Sequence, residues 1–167
     1  MSADFEHQRH KPPQRLERER ELVIACAPMS SHVNLSRILR AAGCCAVPRV
    51  IACGNASIDK KIARDGADSV QLEVHRSLVP VLKKLKSEGY RIVGLEQTTN
   101  SVCIYDFAFE RRTAVVLGNE RLGLTEEELR CVDSVVEIPV YGRPFSHNVA
   151  TSAALAMYEY CRQFPLG

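Results

Sequence analysis

The chain has 167 residues, enough for one domain with a proper core and too few for two comfortable ones. Hydrophobic residues make up 46% and charged residues 25%, and a net charge of +2 is too small to mark a nucleic-acid binder by itself, so any basic surface must be local. Seven cysteines form an odd set without a C-x-x-C pair, and several sit inside apolar runs, which points to buried free thiols in a reducing compartment rather than to a disulfide framework or a metal site. The N-terminus is polar and no apolar run approaches the ~20 residues that span a bilayer. Neither a signal peptide nor a membrane segment is expected, and a cytoplasmic location follows.

In chain order, residues 1–20 mix His, Arg, Gln and a Pro pair without apolar periodicity and read as a surface arm. Arg9, Lys11, Arg15, Arg18 and Arg20 offer that arm to phosphate, although Asp4, Glu6, Glu17 and Glu19 nearly balance them. From residue 21 to 167 a single domain is expected. ELVIACAP reads as a strand, SHVNLSRILRAAG as a helix closed by Gly43, PRVIACG as a strand and SIDKKIARDGA as a helix. VQLEV is a short strand, RSLVPVLKKLKSEG a helix stopped by Gly89, and YRIVGLEQTT a central strand. The β-like segment SVCIYDFAF leads to the strand TAVVLGNE, the short acidic helix TEEELRCV, the strand SVVEIPV and a last helix from about Ser146 to Gln163. Strands alternating with helices in this way predict an α/β fold with a mostly parallel sheet flanked by helices.

Three stretches carry polar residues where this pattern leaves room for a site. In NLSRILRAAG, Asn34, Arg37 and Arg40 share a helix face, which is either a solvated surface or a pair of guanidinium forks suited to phosphate. Gly118, Asn119, Glu120 and Gly123 follow the strand TAVVL directly, as a tight turn or as backbone open to a ligand with a carboxylate beside it. In the third stretch Pro139 ends a strand, Gly142 and Pro144 shape a loop, and Ser146, His147 and Asn148 open the last helix, with Ser146 a natural N-cap. No nucleophile elbow or Ser-His-Asp spacing argues for hydrolysis. Ligands of open α/β sheets bind beyond the carboxyl ends of the strands, so the last two loops suggest one shared pocket.

Taken together and in order, these stretches resemble motifs one, two and three of the SpoU-type RNA ribose 2′-O-methyltransferases of the SPOUT superfamily, over about residues 20–163. Of the first motif, approximately N-x-G-x-x-x-R, Asn34 and Arg40 match and Ser36 replaces the usual Gly. The second, G-N-E-x-x-G, is intact. Of the third, Ile138, Pro139, Gly142, Ser146, Asn148 and Val149 match, while His147 and Ala150 depart from it. The run GYRIVGLEQTTNS is similar to the corresponding strand of the transfer-RNA members, which tilts the substrate toward transfer RNA over ribosomal RNA. A knotted RNA-binding protein without catalysis is the rival from another class.

The resemblance implies a C-terminal trefoil knot, a homodimer with the active site at the subunit interface, and no metal. It implies S-adenosylmethionine held by Gln97, Thr98, Leu117, Gly118, Ile138, His147 and Asn148. By the same resemblance Arg40 engages the ribose hydroxyl and adjacent phosphate, Glu120 holds Arg40 or Asn34, and Ser146 and Asn148 hydrogen-bond the ribose. A guanidinium stays protonated in proteins, so Arg40 is read as orienting the hydroxyl and stabilising developing oxyanion charge, with the proton acceptor left open.

Overall fold

A computed structural model describes residues 4–167. Strands β1 (Leu22–Cys26), β2 (Arg49–Cys53), β3 (Gln71–His75), β4 (Arg91–Leu95), β5 (Val102–Cys103), β6 (Thr113–Leu117) and β7 (Ser134–Glu137) form one sheet in the order β3-β2-β1-β6-β4-β7-β5. Every neighbouring pair is parallel. Helices α1 (His32–Cys44), α2 (Lys60–Ala63), α3 (Gly66–Ser69), α4 (Leu78–Ser87), α5 (Glu126–Leu129) and α6 (Val149–Gln163) fill the connections.

The alternation of side chains along β1 sorts the core into two layers. Leu22, Ile24 and Cys26 face one side with Val50, Val115 and Leu117, and α1 and α6 cover them. Val23 and Ala25 face the other side with Ile51, Ile92 and Val116, under α4. Each covering helix supplies the spacing this needs: Leu35, Ile38, Leu39 and Ala42 on α1, and Leu78, Val81, Leu82 and Leu85 on α4. Pro80 is tolerated because it sits in the first turn of α4, where its missing N–H has no helical partner to lose.

Several boundaries differ from expectation, each for a local reason. Helix α1 runs past Gly43 to Cys44, and the reversal is made by Ala46 at φ 52°. Gly43 instead lies against α3, where an added Cβ would stand 3.1 Å from the Gly66 Cα. The second helix splits into α2 and α3 at Arg64, held at φ 55°. Only Val102–Cys103 of SVCIYDFAF pairs in the sheet, and Ile104–Asp106 tighten into a 3-10 turn.

The end of the arm is tied down. Glu17 and Arg18 donate backbone N–H groups to the Leu166 carbonyl, and Arg20 is buried, its Nε donating to the Cys45 carbonyl at 2.7 Å and its Nη1 to that of Phe164 at 2.6 Å. Arg20 is therefore spent on the fold, which corrects its place among the cations offered to RNA. Arg20→Ala is expected to lower stability by about 2–3 kcal/mol, since two charge-assisted bonds vanish and leave the Cys45 and Phe164 carbonyls only the Cys161 thiol and the Gly167 N–H; chemical denaturation measures it.

Candidate functional site

β4, β6 and β7 lie side by side and end together. Beyond their carboxyl ends opens a cleft of about 220 Å³ with Leu95, Leu117 and Ile138 at its floor and loops from Glu96, Gly118 and Ser146 around it. The loop after β6 is closed by its own backbone: Asn119 and Gly123 exchange N–H···O bonds of 3.1 and 2.9 Å. The Asn119 carboxamide oxygen accepts from the N–H groups of Arg121 and Leu122, and its Nδ2 donates to the Pro28 carbonyl at 2.8 Å. Gly118 is required there because a Cβ would stand 2.6 Å from the Leu124 nitrogen and 2.7 Å from the Gly123 Cα. The close backbone approach expected at Gly118 is thus to the rest of its own loop. Gly123, at φ +66°, takes the left-handed conformation and leaves room for the Glu96 carboxylate.

Glu120 joins the three motif segments. Its carboxylate accepts from the backbone N–H of Ser30 (3.1 Å) and Ser31 (2.9 Å) and from Asn34 Nδ2 (3.4 Å). The Asn34 Oδ1 in turn accepts from Asn148 Nδ2 at 3.1 Å. Asn148 caps α6, its Oδ1 accepting from the N–H groups of Ala150 and Thr151. The cap therefore falls at Asn148 and not at Ser146, because only a residue directly before Val149 reaches the free N–H groups of the first turn. Asn148→Ala should cost about 1 kcal/mol as a lost cap and should also leave the Asn34 carbonyl unpaired, a drop readable in thermal unfolding.

Partial burial pushes the Glu120 carboxyl up, and backbone N–H donors, its own and those of Ser31 and Ser30, outweigh this together with Asn34, leaving it below the ordinary glutamate value. A depressed folded-state value means that this contribution to stability is complete above the unfolded value near ~4.3 and is lost as pH falls through the folded one. Glu120→Gln should accordingly flatten the acid limb of the stability curve, measured by denaturant unfolding from about pH 6 down to pH 3.

Of the residues expected to hold a cofactor, Gln97, Leu117, Gly118, Ile138 and His147 line the cleft, as do Glu120 and Ser146. Thr98 does not; its backbone binds the Ser101 hydroxyl. Asn148 also lies off the lining and acts through its cap and through Asn34. Arg40 lies outside the cleft: it is exposed, six residues beyond Asn34, which on an α-helix is about 9 Å along the axis and about 120° around it, so the helix face expected to be common to them is not shared, Asn34 being buried and Arg37 and Arg40 exposed. None of the ion pairs among the described residues includes it.

Glu96 is a site residue that sequence reasoning missed. Its carboxylate accepts from the N–H groups of Gln97 and Leu124, both at 3.0 Å, and so pins the loop of β6 to the end of β4. The only signal was a carboxylate at the end of a buried strand. Ser36, which stands where glycine is usual, is fully buried; its hydroxyl donates to the His32 carbonyl and accepts from the Asp59 N–H at 2.8 Å, fastening α2 to α1. Among the described residues no group of three or more His, Cys, Asp or Glu could hold a metal ion, and no helix is long and apolar enough to cross a membrane.

A parallel α/β sheet whose strand ends carry a cleft, with three polar segments hydrogen-bonded together at its rim, defines a ligand-binding α/β protein of the open-sheet class. The chain belongs to the SpoU rRNA Methylase family, whose model matches residues 21–158. It is 30% identical over 149 residues to a tRNA (guanosine(18)-2′-O)-methyltransferase of Escherichia coli K12, covering 87% of this chain and 65% of that protein. The chain thus spans just under two thirds of that relative's length. Among solved structures it is similar to the A. aeolicus TrmH/SpoU tRNA modifying enzyme (TM-score 0.83, 25% identity, 90% of this chain and 78% of that one). It is also similar to the SpoU methyltransferase AviRb of Streptomyces viridochromogenes, solved in complex with the cofactor AdoMet (TM-score 0.77, 27% identity, 90% and 63%).

Proposed function

We propose that the protein is a S-adenosylmethionine-dependent RNA methyltransferase that modifies a ribose 2′-hydroxyl, acting on transfer RNA. The observation that carries this is the hydrogen-bonded chain Glu120–Asn34–Asn148, which draws three motif segments together beside a cleft at the ends of β4, β6 and β7. Membership of the SpoU family and the names of the relatives support the reaction, and the E. coli relative supports the RNA class.

The cleft suits the cofactor chemically. Leu95, Leu117 and Ile138 offer an apolar floor to an adenine, and Gln97, Ser146 and His147 offer polar groups at the rim. When bound, S-adenosylmethionine would supply an electrophilic sulfonium methyl for transfer to a ribose hydroxyl oxygen, with S-adenosylhomocysteine as the leaving group and the hydroxyl proton released. What the chain must do is bring the ribose to that methyl, exclude competing geometries and stabilise the charge developing on the oxygen. Glu120 and Asn148 fix Asn34, and Ser146, exposed and on the lining, is free to hydrogen-bond a ribose. Arg40, permanently charged, orients the hydroxyl and its phosphate and does not take the proton.

A homodimer belongs to the same reading, because Arg40 stands away from its own cleft and needs a second copy to meet one. The outward face of α6 is available for such a contact: Leu155 and Tyr158 are exposed, whereas Ala150, Ala153 and Met157 are spent on the core. Light scattering should return twice the 18.6 kDa chain mass; a monomer at micromolar concentration contradicts it. The trefoil knot is likewise part of this proposal, supported by β7 lying between β4 and β5. So are an arm over residues 1–20 that assists RNA binding and a cytoplasmic setting, the latter supported by seven unpaired cysteines.

The test is transfer of labelled methyl groups from S-adenosylmethionine to total RNA of cells lacking this protein, followed by mapping of the modified nucleotide. Label in the 2′-O-methyl ribose of a transfer RNA is the expected result. Label on a base, or none, refutes it, and label in ribosomal RNA refutes the substrate class.

A further inference from the structure

The two loops that border the cleft each carry an exposed apolar side chain next to an arginine. On the loop after β6 these are Leu122, 82% exposed, and Arg121; on the loop before α6 they are Phe145, 72% exposed, and Arg143. Their neighbours face the cavity: Arg121 and Gly123 line it on one side, Ser146 and His147 on the other. The second loop is fastened at this point, since Gln97 Nε2 donates to the Phe145 carbonyl at 3.2 Å. Arg143 already lies over the Phe145 ring, 5.5 Å from its centroid.

Large apolar groups left in water beside a cavity mark a binding surface. The charges beside them say for what. Neither Arg121 nor Arg143 belongs to any ion pair among the described residues. The three carboxylates of the cleft are occupied by the chain itself: Glu96 by Gln97 and Leu124, Glu120 by Ser30, Ser31 and Asn34, and Glu137 by the Ser101 hydroxyl at 2.7 Å. Apolar faces for something flat, the Phe145 ring keeping one face beside the one Arg143 covers, with guanidiniums that pair with no carboxylate for something anionic, match one nucleotide with its two flanking phosphates.

We infer that the nucleobase of the methylated residue is received between these loops, stacked on Phe145 and covered by Leu122, while Arg121 and Arg143 meet the phosphates on either side. This rests on the proposed function and names its recognition step. A ribose hydroxyl within a helix is held by stacking of its base; a base drawn out onto an aromatic platform brings the sugar with it to the cleft. The platform is sequence-tolerant, because every base has a π face.

The experiment compares the parent with Phe145→Leu and Phe145→Tyr in methyl transfer to total RNA, beside calorimetric S-adenosylmethionine titration and light scattering. Phe145→Leu should lose about 5- to 150-fold in kcat/KM for RNA, the range of a lost base–aromatic stack, mostly through KM, and Phe145→Tyr should retain the parent value. Cofactor affinity and molar mass should be unchanged in both. A leucine variant as active as the tyrosine variant overturns the inference, as does a fall in cofactor affinity alongside activity. A fall in molar mass also overturns it, by assigning this face to a second copy of the chain. A parent that methylates no RNA overturns the proposed function and this inference with it, whereas an active parent with an unaffected leucine variant overturns this inference alone.

Discussion

Gly118→Ala should abolish cofactor binding and weaken the fold together. The added methyl would meet the Leu124 nitrogen and the Gly123 Cα at 2.6 and 2.7 Å, and both are backbone. Relief requires the loop to open, which breaks the pair of bonds between Asn119 and Gly123 and withdraws Asn119 from Pro28. Overpacking of this kind costs about 1–3 kcal/mol, and each broken bond adds about 1. Leu117, Asn119 and Glu120 shift with the loop, so affinity for S-adenosylmethionine should fall by at least about 100-fold, or about 2.7 kcal/mol. Calorimetric titration and thermal unfolding on one sample check both effects. Parent-like affinity would show that the loop does not shape the cleft.

Arg40→Ala should separate what Gly118→Ala joins. The side chain is exposed and outside the ion pairs of its own chain, so its removal leaves the fold intact. It also lies off the cleft, so cofactor affinity should stay within a few-fold of the parent. On the proposed function, what is lost is a contact made as charge develops on the attacking oxygen, and removal of one such donor costs about 100- to 1,000-fold in kcat. Arg40→Lys should recover little, because an ammonium keeps the charge but not the planar fork. Full turnover in Arg40→Ala would make this an ordinary surface arginine and remove the mechanism.

The periodicities of the sequence resolve most of the elements. Leu22 to Cys26 and Leu35, Ile38, Leu39 and Ala42 declare a strand and a helix whatever surrounds them. Strand order lay beyond reach, since the register of β1 on β6 is decided by packing between segments 91 residues apart, Leu22 on Thr113. Local signals also competed. Gly43 looks like a helix stop, yet its missing side chain admits α3; Ser146 looks like a cap, yet Asn148 stands two residues nearer the helix. At the site, Gly118 and Glu120 were legible because their motif is contiguous. Glu96 was not, for its partner Leu124 is 28 residues away, and the bond from Asn148 to Asn34 spans 114. Arg20 looked like part of a charged arm because nothing nearby announces the two carbonyls, 25 and 144 residues on, that bury it.

The bond between Asn34 and Asn148 has a dynamic consequence. Because α6 is capped by the same residue that binds Asn34 of α1, which Glu120 in turn ties to the cleft loop, fraying of the last helix and loosening of the cleft are expected to open together. A ligand bound only by the closed form suppresses that opening by RT ln(1 + [L]/Kd). Saturating S-adenosylmethionine should therefore slow amide hydrogen exchange far from itself, in the Met157–Tyr160 stretch of α6. In Asn148→Ala the same amides should exchange quickly and respond little to ligand, because the mechanical link between helix and cleft has been cut.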